Sequence, residues 1–262
     1  MTLDDTCGMG ITMREQINVM DQQGTLWITD SASEARQLHN DNKAVLILLT
    51  EENKNEDFSD FPYAVEDLGS MDEETKEIYF ERVYRRLKGL PWNILETGRC
   101  ILRETTVEDV DAFYEIYKDP SMTLYMEDLY ADPDEERQYI RDYIKNQYGF
   151  YDYGVWTVID KQTDTIIGRA GLSVRPGEDY PELGFLITVS RQGKGYATEV
   201  CKAIIEYAYE QLEAKGVVAY VIPENTASIR VCEKVGMTVC GEGYDKGGMY
   251  TRYFIGLGEE QG

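Results

Sequence analysis

SRQGKGYATEV, residues 190–200, has two glycines two positions apart, one lysine and no acidic residue before Glu199. It follows ELGFLITV (182–189), an apolar run that predicts a strand, and precedes an amphipathic pattern over 195–213 that predicts a helix. A tight glycine turn between a strand and a helix places several backbone N–H groups at the positive end of the helix dipole. The segment therefore predicts a site for a phosphate or pyrophosphate group.

Two common phosphate-binding motifs do not fit this turn. A Walker P-loop requires GxxxxGK[ST], which RQGKGYAT (191–198) does not supply. The dinucleotide fingerprint GxGxxG lacks its third glycine, because Thr198 occupies that position. The spacing that remains is Q-x-x-G-x-A, formed by Gln192, Gly195 and Ala197.

Between a strand and an amphipathic helix, this spacing resembles the acetyl-CoA motif of the GNAT acetyltransferases. A second segment, PENTASIRVCEKVGM (223–237), is similar to the N-x-x-[SA]-x-x-x-x-E-K-x-G-[FM] pattern that follows the fifth strand of that superfamily. The resemblance covers roughly residues 99–257. Within the superfamily, IGRAGL (167–172), ELGFLI (182–187) and Ser228 resemble most the RimJ/RimL-like branch, the ribosomal-protein N-terminal acetyltransferases and their relatives.

The resemblance implies an α/β (α+β) fold, in which a central mixed sheet is splayed between two strands and flanked by helices. The order of elements predicted from the residues agrees with that fold. These elements are a strand at 99–104, helices at 105–119 and 132–149, a hairpin of 154–160 and 165–174, a strand at 216–222, a helix at 225–236 and a C-terminal hairpin over DKGG (245–248).

Acetyl-CoA is the cosubstrate that the resemblance implies. Backbone amides of 193–197 would hold its pyrophosphate, and the strand backbone before the turn would pair with its pantetheine arm. The residues expected to contact the cofactor are Leu186, Ile187, Gln192, Gly193, Lys194, Gly195, Tyr196, Ala197, Thr198 and Asn225. No metal is expected.

The reaction needs a group that accepts a proton from the attacking amine, because amines are mostly protonated at neutral pH. Glu182 is the candidate base, since it opens the strand beside the acyl site and matches the glutamate of RimL-like sequences. Many GNAT members carry a tyrosine as general acid where this sequence has Cys232. We interpret Cys232 as a packing residue, and Ser228 is the candidate that returns a proton to the thiolate through water.

Residues 1–90 predict a separate, small Rossmann-like α/β domain, joined to 99–257 by a connection at 91–98. Its predicted elements are strands at 25–30, 43–50 and 62–68, a helix at 31–40, and a helix at 71–90 with Ile78, Val83 and Leu87 on one face.

Within this domain, LWITDSASEARQLHNDNKAVLIL (26–48) resembles the later half of a haloacid-dehalogenase core, where D-S-x-x-[DE] (here Asp30, Ser31 and Glu34) helps bind magnesium. The family's nucleophile motif DxDx[TV] is absent from the sequence. We therefore expect a noncatalytic domain that presents substrate, dimerises or adds stability.

The composition excludes several classes of protein. With 49 acidic against 26 basic residues, a net charge of −23 disfavours nonspecific binding to nucleic acid or anionic lipid. No apolar run approaches the roughly 20 residues of a membrane span, and the acidic N-terminus does not resemble a secretory signal. Five cysteines, including Cys7, form no CxxC pair, and a single histidine, His39, leaves no material for a histidine zinc site. We expect a cytoplasmic protein, and a homodimer is a candidate assembly.

Three functions stay open from the sequence. The first is acetylation of a protein N-terminus, and the second is acetylation of a small amine or polyamine. The third is a CoA-binding sensor or scaffold with weak catalysis, which Cys232 and the additional domain suggest.

Overall fold

The computed structural model of the protein describes residues 14–19, 23–245 and 248–258. Cys7 and the turn residues Lys246 and Gly247 of the predicted C-terminal hairpin lie outside these residues. The chain divides into two compact units, Met1–Leu90 and Pro91–Gly262, which we describe separately. No helix in the described part of the chain is both long and apolar enough to cross a membrane.

The first unit is a four-stranded sheet with helices on both faces. Its strands are β1 (Arg14–Val19), β2 (Gly24–Thr29), β3 (Ala44–Leu48) and β4 (Ala64–Val65), in that order, with β1 antiparallel and the others parallel. Helix α1 (Ala32–Asn40) packs on one face through Ala35 and Leu38, and helix α2 (Glu73–Leu87) packs on the other through Phe80 and Val83. The Rossmann-like prediction is confirmed in this α/β/α layering.

Two details of this unit differ from the sequence prediction. Ile78 was placed on the apolar face of the second helix, but half of its surface is exposed. The buried stripe instead follows Phe80, Val83 and partly Leu87, at spacings of three and four residues, and Ile78 lies about 200° around the helix from Phe80. Strand β1 was not predicted, because REQINV (14–19) contains only two apolar residues.

The second unit is built on one eight-stranded mixed sheet. Its strands are β5 (Asn93–Glu96), β6 (Cys100–Arg103), β7 (Val155–Asp160), β8 (Thr165–Ser173), β9 (Glu182–Ile187), β10 (Gly216–Val221), β11 (Thr238–Asp245) and β12 (Gly248–Gly256). They lie in the order β11-β12-β10-β9-β8-β7-β6-β5. The segment 91–98, expected to be a connection, contains β5, which is paired antiparallel with β6 and so extends this sheet.

Helices cover the sheet at the positions that the sequence predicted. They are α3 (Val110–Tyr117), α4 (Pro133–Tyr143), α5 (Gly149–Tyr151), α6 (Tyr196–Glu210) and α7 (Thr226–Lys234), with a π-helical turn at Ile144–Tyr148 between α4 and α5. The stripe Val200, Ile204 and Ala208 of α6 is fully buried in the main core, as its spacing indicated.

Strands β9 and β10 are the only parallel neighbours in this sheet as described, and they separate almost at once. The β8–β9 ladder contains six residue pairs, whereas β9 and β10 share one, Glu182 with Val218. Beyond that pair the two strands diverge, so one edge of β9 has no strand beside it. The predicted splayed, helix-flanked α/β fold is confirmed, and the gap between β9 and β10 positions the site.

Candidate active site

The gap opens into a cavity of about 790 Å³. Its walls are β9, β10, the glycine turn, α7 and the segment 121–126 that follows α3. Ten of the twelve residues singled out from the sequence line it: Glu182, Leu186, Ile187, Gln192, Gly193, Gly195, Ala197, Thr198, Asn225 and Ser228. The fold therefore brings together positions that are up to 46 residues apart in the sequence.

Both glycines of the glycine turn have a left-handed backbone conformation. Gly193 and Gly195 have φ angles of +70° and +84°, in the left-handed region that glycine adopts without steric cost. The N–H of Glu199 bonds the carbonyl of Gly195 at 3.0 Å, so α6 begins its hydrogen-bond ladder there. The amides of residues 196–198 precede that bond and have no partner within the helix. All three amides lie at the positive end of the helix dipole, and Ala197 and Thr198 line the cavity.

Arg99 fixes this turn from outside the cavity. Its guanidinium donates to the Lys194 carbonyl at 3.0 Å and bonds the Glu199 carboxylate at 2.6 Å. It also lies over the ring of Tyr196, 4.1 Å from the centroid. The pairing neutralises Glu199, the one acid in the first turn of α6, which would otherwise repel a bound anion.

Lys194 and Tyr196 do not line the cavity. The Lys194 ammonium donates to the Ser190 carbonyl at 2.8 Å, and the Tyr196 hydroxyl donates to Asp160 at 3.0 Å. The hydrogen bond to Asp160 raises the pKa of Tyr196, so its phenol stays protonated. Neither side chain therefore supplies a polar group to the cavity wall.

The register of β9 changes the prediction for Leu186. Thr188 N–H donates to Ile167 of β8 at 2.7 Å, and hydrogen-bonded pairs alternate along an antiparallel ladder. The backbone groups of Leu186 therefore also face β8, whereas those of Phe185 and Ile187 face the gap. The Ile187 carbonyl accepts a 2.8 Å hydrogen bond from the Gln192 side chain. Phe185, which the sequence analysis missed, is thus the better backbone partner for an extended ligand.

Glu182 lies where β9 and β10 begin to separate. Its side chain is 22% exposed and lines the cavity, and its carboxylate lies 3.4 Å from the Arg175 guanidinium. That guanidinium also stacks over Tyr220 of β10, 4.0 Å from the ring centroid. A neighbouring cation favours the ionised carboxylate, which is the form that a proton acceptor requires.

The loop 174–181, which carries Arg175, is anchored by an acid that the sequence analysis also missed. Glu178 accepts two hydrogen bonds from Arg252 of β12, at 2.8 and 2.9 Å, and one from the Tyr220 hydroxyl. The Arg252 guanidinium holds the pKa of Glu178 down to about 2, so the carboxylate is ionised at all physiological pH values. In the sequence, only Tyr220 could have indicated a polar contact here, because its hydroxyl is the one polar side-chain group in the strand GVVAYV (216–221).

Helix α7 supplies the opposite wall. The Asn225 side chain caps it by accepting a hydrogen bond from Ser228 N–H at 3.1 Å, and Ser228 lies at the cavity. Cys232 is fully buried, and burial raises the pKa of its thiol to about 11. It is therefore a protonated packing residue, as expected, and not a nucleophile.

Asn225→Ala is expected to lower the free energy of unfolding by about 1 kcal/mol, because the first turn of α7 loses its cap. Urea denaturation followed by circular dichroism measures the change. Asn225→Asp keeps an oxygen acceptor and is expected to unfold at nearly the wild-type urea concentration. Equal stability of the alanine and aspartate variants would contradict the capping role.

In the first unit, the residues matched to the dehalogenase magnesium motif are bonded to the protein. Glu34 accepts a hydrogen bond from the Thr29 hydroxyl at 2.8 Å, and the Ser31 hydroxyl accepts one from Glu34 N–H at 3.5 Å. Within residues 14–19, 23–245 and 248–258, no group of three or more His, Cys, Asp or Glu side chains is arranged to hold a metal ion.

Comparison with known proteins places this geometry among acetyltransferases. The family model described as "Acetyltransferase (GNAT) domain" matches residues 99–238. The chain is 31% identical over 148 residues to "Uncharacterized protein YkkB" of Bacillus subtilis (strain 168), covering 55% of this chain and 84% of the relative. It is 30% identical over 144 residues to "Uncharacterized N-acetyltransferase YnaD" of the same organism, covering 55% and 81%.

Among solved structures, the acetyltransferase from Agrobacterium tumefaciens str. C58 superposes with a TM-score of 0.52 at 26% identity. The superposition covers 63% of this chain and 95% of that one.

Proposed function

Because the chain belongs to the GNAT acetyltransferase family, we propose that it transfers an acetyl group from acetyl-CoA to a primary amine by direct attack of the amine on the thioester. Enzymes of this family use acetyl-CoA as cosubstrate. The observation that carries the proposal is the cavity between β9 and β10, which has the glycine turn on one side and Glu182 on another.

Each residue has one task in this reaction. The amides of the turn and of α6 hold the pyrophosphate, and the Phe185 backbone pairs with the pantetheine arm. The amine nitrogen attacks the thioester carbonyl, a carbon–nitrogen bond forms, and the proton lost by nitrogen passes to Glu182 directly or through water. A backbone N–H of β9 that faces the gap stabilises the oxyanion. The carbon–sulfur bond breaks, and Ser228 delivers a proton to the departing thiolate through water. The serine hydroxyl regains a proton from solvent, to which Glu182 releases the proton that it accepted.

Two acceptor classes fit this site. The RimJ/RimL-like details at 167–172, 182–187 and Ser228 favour a protein N-terminus. The rim of the cavity favours a small cationic amine as the alternative, because Tyr125 and Met126 line the opening and are followed directly by Glu127 and Asp128. We propose the protein N-terminus as the first candidate, and we regard residues 1–90 as a noncatalytic appendage with a dehalogenase-like core.

Product formation separates these proposals. The protein would be incubated with acetyl-CoA in three separate reactions. One contains peptides with free N-termini, the second contains the same peptides N-acetylated, and the third contains polyamines. Acetylated product would be measured by mass spectrometry, because the exposed thiol of Cys240 would react with thiol reagents. We expect product from free peptides and none from blocked ones. Product from polyamines alone would favour the small-amine alternative. CoA binding without any product would favour a sensor.

A further inference from the structure

Two basic side chains of α7 project into the cavity. Arg230 and Lys234 both line it, and both are exposed. Four residues apart in a helix, they lie on one face with Cβ atoms about 6 Å from each other. Neither forms an ion pair or hydrogen bond with any other residue that the structure describes, although acids outnumber bases 49 to 26 in the sequence.

The basic side chains nearer the glycine turn form ion pairs or hydrogen bonds outside the cavity. Arg99 pairs with Glu199 at 2.6 Å, Arg191 pairs with Asp160 at 3.0 Å, and Lys194 donates to a carbonyl. None of the three lines the cavity. The side-chain positive charge at the cavity, within the described residues, therefore comes from α7 alone.

The position of the pair along α7 indicates which part of a ligand it meets. Asn225 caps the N-terminus of α7, the end that follows β10 in the chain. At a rise of 1.5 Å per residue, Arg230 and Lys234 lie about 7 and 13 Å further along the axis of α7. Helix α7 packs against α6, whose N-terminus directly follows the glycine turn. A ligand that threads from Glu182 past the turn would reach Arg230 and Lys234 with the part that follows the pyrophosphate.

In coenzyme A that part is the adenosine 3′-phosphate. A phosphate monoester carries a charge of about −1.5 to −2 at pH 7, more concentrated than that of each pyrophosphate phosphorus. Backbone amides at the turn suit the pyrophosphate, whereas a compact dianion is matched by an arginine and a lysine side by side. We propose that Arg230 and Lys234 form a subsite for the 3′-phosphate, so that the protein discriminates coenzyme A from its 3′-dephospho form. This proposal rests on the proposed use of acetyl-CoA.

Calorimetric titration with coenzyme A and with 3′-dephospho-coenzyme A tests the proposal. We expect the wild-type protein to bind coenzyme A about 10-fold or more tightly than 3′-dephospho-coenzyme A. This is the size of effect expected from charge-assisted contacts that solvent partly screens. The double variant Arg230→Ala/Lys234→Ala should bind coenzyme A as weakly as the dephospho form and bind the dephospho form with unchanged affinity. Added salt should reduce the wild-type preference.

A matched control is the pair Arg141, in the last turn of α4, and Lys145, in the π-helical turn that follows it. Both are exposed, and neither lines the cavity. Arg141→Ala/Lys145→Ala should keep the full preference, which rules out a general effect of net charge. Equal affinity of the wild-type protein for the two ligands would overturn the subsite and leave the acetyltransferase proposal standing. The same conclusion would follow if the α7 variant lost affinity for coenzyme A and for 3′-dephospho-coenzyme A by the same factor. Absence of binding by either ligand would instead overturn the proposed function.

Discussion

Glu182→Gln is expected to lower turnover with acetyl-CoA and an accepted amine about 10²-fold or more, because a general base typically contributes about 10²- to 10⁴-fold to the rate. Glutamine has nearly the same size and still accepts a hydrogen bond from Arg175, but it cannot take a proton from the amine. Affinity for acetyl-CoA should remain near the wild-type value, because the turn and the gap-facing edge of β9 are unchanged. Steady-state kinetics and calorimetry measure the two quantities separately.

The pH–rate profile makes this prediction specific. Wild-type turnover should fall at acidic pH, where the Glu182 carboxylate gains a proton, and this acidic limb should be missing in the glutamine variant. Glu224→Gln is the matched control, because Glu224 is exposed, lies one residue before Asn225 and does not line the cavity. A Glu182→Gln enzyme with wild-type turnover and an unchanged profile would assign proton removal to water or another acid.

Gly195→Val is expected to weaken acetyl-CoA binding at least about 100-fold. At φ +84°, a β-branched residue is strained by roughly 1–3 kcal/mol, and the turn relieves the strain by rotating its amides away from the pyrophosphate. Space for the Cβ atom itself is not the obstacle, since its nearest neighbour would be an Arg99 nitrogen at 3.5 Å. The expected loss therefore comes from backbone conformation together with displaced N–H groups.

Two controls separate these causes. Gly89→Val introduces similar strain, at φ +66° with open space around it, in the first unit, and should leave acetyl-CoA affinity unchanged. Lys194→Ala should reduce the affinity less than about 3-fold, because the Lys194 ammonium bonds the Ser190 carbonyl and does not reach the cavity. Unchanged affinity of a folded Gly195→Val protein, measured by calorimetry, would remove the turn from the binding site.

The sequence was sufficient where local chemistry decides the structure. Glycines at 193 and 195, the Asn225 cap and the apolar stripe of α6 are short-range signals, and each produces the expected element. The same holds for the apolar run at β3, which is buried between parallel neighbours.

Long-range pairing was not predictable in the same way. Which backbone groups of β9 face the gap depends on its register with β8, and a shift of one residue exchanges Leu186 for Phe185. The contacts of Glu178 join residues that are 42 and 74 positions apart, and no local pattern indicates such partners. Arg230 and Lys234 stand out only once the fold shows that they line the cavity and that no acid among the described residues pairs with them.

The single ladder pair between β9 and β10 has a thermodynamic consequence. Part of the β9 edge lacks a strand partner, so a cosubstrate arm that pairs with it completes the sheet and binds only the folded state. By mass action, a ligand at 100 times its dissociation constant adds about 2.7 kcal/mol to the free energy of unfolding. The folded fraction of this unit, and hence its resistance to heat and proteases, would rise and fall with the supply of acetyl-CoA in its surroundings.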